Sequence, residues 1–432
     1  MVTSVNDLRI WCEHAWLGGW STSPGVVIEV EGGRIADIGT GFPEPPAGAQ
    51  VLPGVTLPGF VNSFATLSDR ALRGFEGGRE ELSAAGTELS ECLDLERWTA
   101  LAQAVLAEMS LAGFTTVGAV VPVIAGLEPL RVFRTMVDAA ERVGVRLTGF
   151  IPAPVGSDDP CELDRWMSSL ADTFDHLKNH DLCRGAALVH DVSRASVPAL
   201  RALSHWAGQT GGPFAGRVSA DLDAHNACKA AHDATPIEVF HEVGALANRG
   251  GFLACHGVAM TDDDAALLGQ SRGAVCVTAT GDRELGTGVI SLDALRNNGA
   301  RIVVGTAIGA VIDPFLELRT MEGHARLSAG RRPVLSPAEL LRSATTDGTI
   351  ALGWRDAGLL ASGQRADLVT VSLHTPRMAG TDPDAVLAHL TSSATAADIT
   401  HVTVNGELIA EHGMHRSGDV TAMLEAALAA VR

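Results

Sequence analysis

From residue 56 onward the chain alternates short apolar runs with helix-length segments, and this rhythm constrains the fold more than any other feature. The runs lie at 56–61, 115–121, 146–151, 185–190, 213–219, 251–258, 274–279 and 301–306. Strands that are apolar throughout and separated by helices belong to parallel sheets covered on both faces. Eight such units favour closure into a (β/α)8 barrel. The clearest helical segment is 95–112, with Trp98, Leu101, Val105, Leu106 and Met109 on one face. Others are expected at 127–143, 195–209, 236–247, 262–268 and 291–298. In the segment 262–268, Asp262-Asp263-Asp264 reads as a helix start, where carboxylates meet the positive end of the dipole.

The two ends of the chain follow a different pattern. Short strands are expected at 8–12, 26–30 and 34–38, with Gly32-Gly33 as a hairpin turn. Strands return at 367–372, 401–404 and 407–410, with Asn405-Gly406 as a turn, and a last helix begins near Val420. Neither set can bury a face alone, so the two are expected to join in one small β-sandwich. The expected organisation is a composite sandwich domain from residues 1–57 and 358–432, and a barrel from 58–357.

A chain of 432 residues suits a large barrel with a smaller module. Its formal net charge of −19 argues against nucleic-acid and anionic-membrane partners, both of which need a basic footprint. No uncharged apolar run of about 18 residues is present, so no membrane span is expected. The opening residues have no basic and apolar leader pattern. The seven cysteines form no C-x-x-C pair and read as reduced, small hydrophobic residues of a cytoplasmic protein. Tyrosine is absent, which removes one frequent proton donor from any site.

Several motifs, in order, resemble the amidohydrolase superfamily, and most nearly formimidoylglutamate deiminase. They are Ala15-Trp16-Leu17, Gly32-Gly33-Arg34-Ile35, Leu57-Pro58-Gly59-Phe60-Val61-Asn62, Arg70-Ala71-Leu72-Arg73-Gly74, and the segment from Glu108 to Gly118. Glu317-Leu318-Arg319, Glu322 and Arg326-Leu327 follow. Gly358-Leu359, Gly363 and Ala366-Asp367-Leu368-Val369 complete the set. The resemblance implies a barrel flanked by a sandwich, a divalent ion that makes hydroxide from water, and a dimer.

On this sequence, the positions where the resemblance places metal ligands are Phe64, Thr66, Arg217 and Ala307. Phe and Ala have no donor atom, neutral Thr is a poor ligand, and Arg is a cation. The sequence therefore implies no metal cofactor. The resemblance also places a catalytic Glu on Ala220, beside Asp221, and a Gln on Asp69. The loop at 77–89 replaces one that carries substrate contacts in the family.

His256 matches a catalytic His, and Arg194 matches an Arg that holds a substrate carboxylate. Arg194 is alternatively a partner for Asp191 or Asp221. Arg217 either fills the place of the ion or holds an anion. His190, Asp191, Asp69, Asp221 and His256 are an alternative set for a rebuilt metal site. His412 and His415 read as surface residues.

The leading expectation is a pseudoenzyme that binds a small carboxylate ligand, or acts as partner or regulator of an active paralogue. Its binding residues would be Arg194, Arg217, Asp69, Asp191 and Asp221. The alternatives are a metal-independent enzyme acting on a small carboxylate-bearing substrate, with His256 as proton carrier, and an atypical active deiminase or other hydrolase of C–N bonds.

Overall fold

The computed structural model describes residues 8–157, 159, 161–308 and 311–431. The first seven residues, read above for a leader, lie outside the described residues. The chain opens with β1 (Leu8–Ala15), β2 (Ser23–Glu31), β3 (Arg34–Gly39) and β4 (Gln50–Pro58). Eight barrel strands follow. They are β5 (Phe60–Ala65), β6 (Phe114–Val120), β7 (Arg146–Pro152), β8 (Cys183–Val189), β9 (Phe214–Val218), β10 (Phe252–His256), β11 (Ala274–Val277) and β12 (Arg301–Val304). The chain returns through β13 (Leu368–Val371), β14 (Ile399–Val404), β15 (Glu407–Glu411) and β16 (Met414–His415).

Strands β5 to β12 pair in sequence order, and every pairing is parallel. The remaining eight strands form one sheet in the order β16-β15-β14-β13-β4-β1-β2-β3. The two chain ends meet where β13 pairs antiparallel with β4, which runs parallel to β1. The α/β barrel with a sheet built from both ends is the expected fold. No described helix is long and apolar enough to cross a membrane.

The first barrel strand differs from its expected place. Residues 56–58 belong to the end sheet, where Thr56 pairs with Thr370, and the barrel strand starts at Phe60. A Cβ on the intervening Gly59 would lie 2.1 Å from Thr115 Oγ1, so the chain crosses tightly between the two sheets. The residues on either side of Gly59 are buried and mostly apolar, and a continuous apolar run cannot mark the break between the two strands.

The barrel seam between β5 and β12 is closed largely by a side chain. Asn62 Nδ2 donates to Thr306 Oγ1 (2.8 Å), and Thr306 N–H donates to Asn62 Oδ1 (3.1 Å). One step further, Ala307 N–H donates to Phe64 O and Thr66 N–H donates to Ala307 O. A register shift between Asn62 and Ala65 breaks the side-chain alternation of β5. Phe64 consequently joins Val61 in the inner cluster with Phe150, Leu188, Cys255 and Cys276, whereas Ala65 packs in the outer core.

The helix Leu95–Leu111 buries all five expected apolar residues, and Asp94 caps it by accepting from Arg97 N–H. The acidic start at Asp262 is a helix N-terminus, with Thr261 as its cap. The segment expected as a replaced loop contains a helix, Arg79–Cys92, with Glu80 and Glu81 in its first turn. Five cysteines are buried, as expected, but Cys92 and Cys161 are exposed. His412 lies on the surface, whereas His415 is buried.

Candidate functional site

The C-terminal ends of the barrel strands gather the residues singled out from sequence. Phe64 and Thr66 come from the end of β5, Arg217 from β9, His256 from the last position of β10, and Ala307 from the turn after β12. In a βα barrel this end is built from the loops that carry chemistry. The strand pattern brings the residues there, because each strand runs in the same direction.

Arg217 is half-buried, and its Nη1 lies 3.0 Å from His190 Nε2, just beyond β8. A guanidinium has donors and no acceptor, so His190 Nε2 must accept and the ring is neutral. Burial and the charge of Arg217 push the His190 pKa down to about 4, in agreement with that geometry. This is the only hydrogen bond from Arg217 to a described residue.

His256 is buried and held at φ +72°. Its Nδ1 lies 3.2 Å from Thr278 Oγ1 and 3.9 Å from Asp282 Oδ1. Its ring meets Phe64 edge to face at 5.7 Å. Burial pushes the imidazole pKa down, opposed by Asp282 and reinforced by Arg217. Asp69 follows β5 in the 3-10 turn Leu67–Leu72, which Arg70 and Arg73 anchor to Glu108. Burial raises the Asp69 carboxyl to about 7, against the nearby Ser68 hydroxyl and the charge of Arg217.

The other expected ligand-binding residues are engaged differently. Asp221 caps the helix Leu222–His232 through Ala224 N–H and accepts from Arg79 Nη1 (2.8 Å). That ion pair ties the helix Arg79–Cys92 to the barrel end. Asp191 accepts from the backbone and hydroxyl of Ser193 in a local turn. Arg194 is exposed and pairs with neither Asp191 nor Asp221 among the described residues.

Asp282 and Glu317 were missed as site residues. Asp282 is buried against His256, on the helix Ala279–Leu285 that starts directly after the Thr278 contact. Glu317 accepts from the Thr280 amide and hydroxyl on the same helix, and burial raises its carboxyl to about 8. A carboxylate four residues beyond the threonine that follows β11, and the Glu317-Leu318-Arg319 motif itself, were the available signals.

The side chains at the four implied ligand positions do not fit a divalent ion. Phe64 and Ala307 offer no donor, Thr66 offers only a neutral hydroxyl, and Arg217 presents a cation. The alternative set is not assembled as a ligand sphere either. His190 is bonded to Arg217, and Asp221 to Arg79 and a helix end.

The sequence profile of the amidohydrolase family matches residues 55–409. The chain belongs to the amidohydrolase family. It is 28% identical over 197 residues to a 5-methylthioadenosine/S-adenosylhomocysteine deaminase of Pelotomaculum thermopropionicum, a match covering 45% of each chain. The chain thus spans about half the length of that relative. A deaminase of the same name from Halobacterium salinarum is 26% identical over 397 residues, covering 89% of this chain and 88% of the relative.

Two zinc-containing structures share the fold at 19% identity and a TM-score of 0.87. One is an adenosine deaminase from Xanthomonas campestris, covering 98% of this chain and 97% of that one. The other is atrazine chlorohydrolase from Arthrobacter aurescens, covering 98% and 100%. The superfamily resemblance seen in the sequence is correct. These curated relatives are named for a different deamination than the formimidoylglutamate reaction expected from it.

Proposed function

We propose that this deaminase-like amidohydrolase binds a small carboxylate ligand at the barrel mouth and does not carry out metal-assisted hydrolysis there. Arg217 carries the reading. A half-buried guanidinium with a single hydrogen-bonded partner among the described residues stands at the position where the family resemblance places a metal ligand. Its spare donors suit a carboxylate, which accepts bidentate, charge-assisted hydrogen bonds. Phe64 fills the inner side of the same region with a ring that packs on His256 and Phe150. A protein of this kind would sense a metabolite or pair with an active paralogue, and a homodimer is the assembly that the family analogy suggests.

A second reading is an atypical C–N hydrolase. The names of the relatives favour it, and so does His256, which keeps a neutral ring beside Asp282. Ammonia release from 5-methylthioadenosine, S-adenosylhomocysteine, adenosine and formimidoylglutamate, measured beside the metal content of the purified chain, separates the two. The first reading expects no ammonia, and calorimetric binding of a small acid that is lost in Arg217→Ala. Ammonia release that needs a metal and disappears in His256→Ala would overturn it in favour of the second.

A further inference from the structure

The end sheet carries two tight hairpins with closely similar positive φ values and different first residues. Asn405 and Gly406 have φ values of +50° and +75° between β14 and β15. His412 and Gly413 have +47° and +78° between β15 and β16, where Glu411 pairs with Met414. Two-residue turns with both φ values positive favour Asn, Asp or Gly at the first position. Asn405 satisfies that preference. His412 does not, so the demands of the turn leave its identity unexplained.

The side chains supply a reason. His401 on β14 and Glu411 on β15 are direct cross-strand partners, and His401 Nε2 lies 3.2 Å from Glu411 Oε1. In an extended strand, Glu411 and its successor would point to opposite faces. At φ +47° His412 instead sets its ring 5.1 Å from that of His401, at 66° between planes. One donor atom from each of the three residues then lies within 4.8 Å of the others.

From this geometry we infer that His401, Glu411 and His412 form a zinc-binding site on the end sheet, remote from the barrel mouth. Two imidazole nitrogens and one carboxylate oxygen are zinc ligands, and zinc at about 2.0–2.1 Å from each would hold them roughly 3.3 Å apart. The His401–Glu411 spacing already has that value within a tenth of an ångström or so. His401 is buried on a strand, and its Nδ1 is hydrogen-bonded to Thr400 Oγ1 at 2.9 Å, which orients Nε2 toward Glu411. Glu411 and His412 are exposed, so water can complete a tetrahedral shell. Bound zinc would clip the β14–β15 pair to the last hairpin.

The test uses tag-free, chelator-stripped full-length protein titrated with Co²⁺, followed by visible absorption, and then with Zn²⁺ in competition. The expected result is one equivalent of Co²⁺ in a tetrahedral environment, displaced by Zn²⁺. Glu411→Gln and His412→Ala, both at exposed positions, should each weaken binding by at least about 10-fold, while circular dichroism stays unchanged. Thr400→Val should weaken it about 10-fold through the orientation of His401 alone. His256→Ala should bind as the parent does, which keeps this result separate from any metal at the barrel mouth. Absence of Co²⁺ and Zn²⁺ binding, equal binding by the Glu411 and His412 variants and the parent, or binding lost only in His256→Ala would each overturn the inference.

Discussion

The two ends of the barrel use arginine in opposite ways. At the N-terminal end, Arg146 begins β7 and is fully buried. Its Nε and Nη2 reach the two oxygens of Asp367 at 2.5 and 2.8 Å, and further donors reach Asp181 O and Asn405 Oδ1. Trp354 lies alongside, with the guanidinium of Arg184 4.1 Å from its ring centre and its own Nε1 on Thr148. Arg217 at the other end is half-buried, with one hydrogen-bonded partner among the described residues, His190. A guanidinium with acceptors on every side fastens the end sheet to the barrel. A guanidinium with unused donors near solvent is available to a ligand.

The sharpest way to break this comparison is to remove each arginine and measure stability. Arg146→Ala leaves Asp367 buried without its counter-charge, and such a loss costs about 3–5 kcal/mol. Arg217→Ala removes a half-buried charge whose burial cost and favourable charge contacts oppose each other, so stability should change by less than about 1 kcal/mol in either direction. Urea unfolding of the two variants measures both. Equal losses would mean that Arg217 is as structural as Arg146.

Ligand binding should reverse the ranking. Arg217→Ala should weaken a small carboxylate by at least about 10-fold, the ratio given by 1.4 kcal/mol. Arg194 is exposed, and an exposed charge pair is worth about 0.2–1 kcal/mol, so Arg194→Ala should cost about 5-fold at most. Calorimetry with a panel of small acids gives both values. An Arg194 effect larger than that of Arg217 would move the binding site from the barrel axis to the loop after β8.

The contrast was partly legible in the sequence. The eight apolar runs place the barrel strands, and the four positions Phe64, Thr66, Arg217 and Ala307 do converge on its mouth. The start of the first strand was not legible, because the apolar run continues from the end of β4 into the start of β5 and only Gly59 separates them. Partners were harder still. Asp221 was read as a ligand contact, but its neighbour in sequence makes it a helix cap, and Arg79, 142 positions away, takes its second oxygen. The Arg146–Asp367 fastener spans 221 positions and has no local signature at all. Periodicity records what a strand buries, but it does not record which distant charge it meets.

A change of pH should sharpen the account of the mouth. Asp69 has its carboxyl raised to about 7, so it is mostly protonated at pH 6 and mostly ionised at pH 8. Ionised Asp69 offsets part of the Arg217 charge, and anion binding should therefore weaken by about 2- to 5-fold between those values. His190, with a pKa of about 4, stays neutral throughout. The stability sign is fixed by the same shift. Asp69 in the fold binds its proton more tightly than in the unfolded chain, so its contribution is fully present below about 4 and is lost as pH rises through about 7. Asp69→Asn should flatten both profiles. A pH dependence of binding that survives in Asp69→Asn would assign it to another group.

The smallest expected effect is also the most discriminating. His256 contributes no charge to anion binding, because burial keeps its ring neutral, and its Nδ1 is occupied by Thr278 with Asp282 behind it. Its Nε2 makes no hydrogen bond to a described residue, which leaves one nitrogen for a ligand or a proton. His256→Ala keeps an L-residue at φ +72°, so it neither relieves nor adds backbone strain. Carboxylate binding in this variant should stay within about 2-fold of the parent, less than the energy of one ordinary hydrogen bond. Turnover behaves differently, since removal of a positioned proton carrier lowers a rate by about 10²- to 10⁴-fold. Measuring binding and ammonia release on the same preparation therefore reads two separate quantities from one substitution. Unchanged binding without turnover in the parent supports a receptor built on Arg217. Turnover in the parent that collapses in His256→Ala, with binding intact, would show that the mouth with a single-partner arginine still performs chemistry.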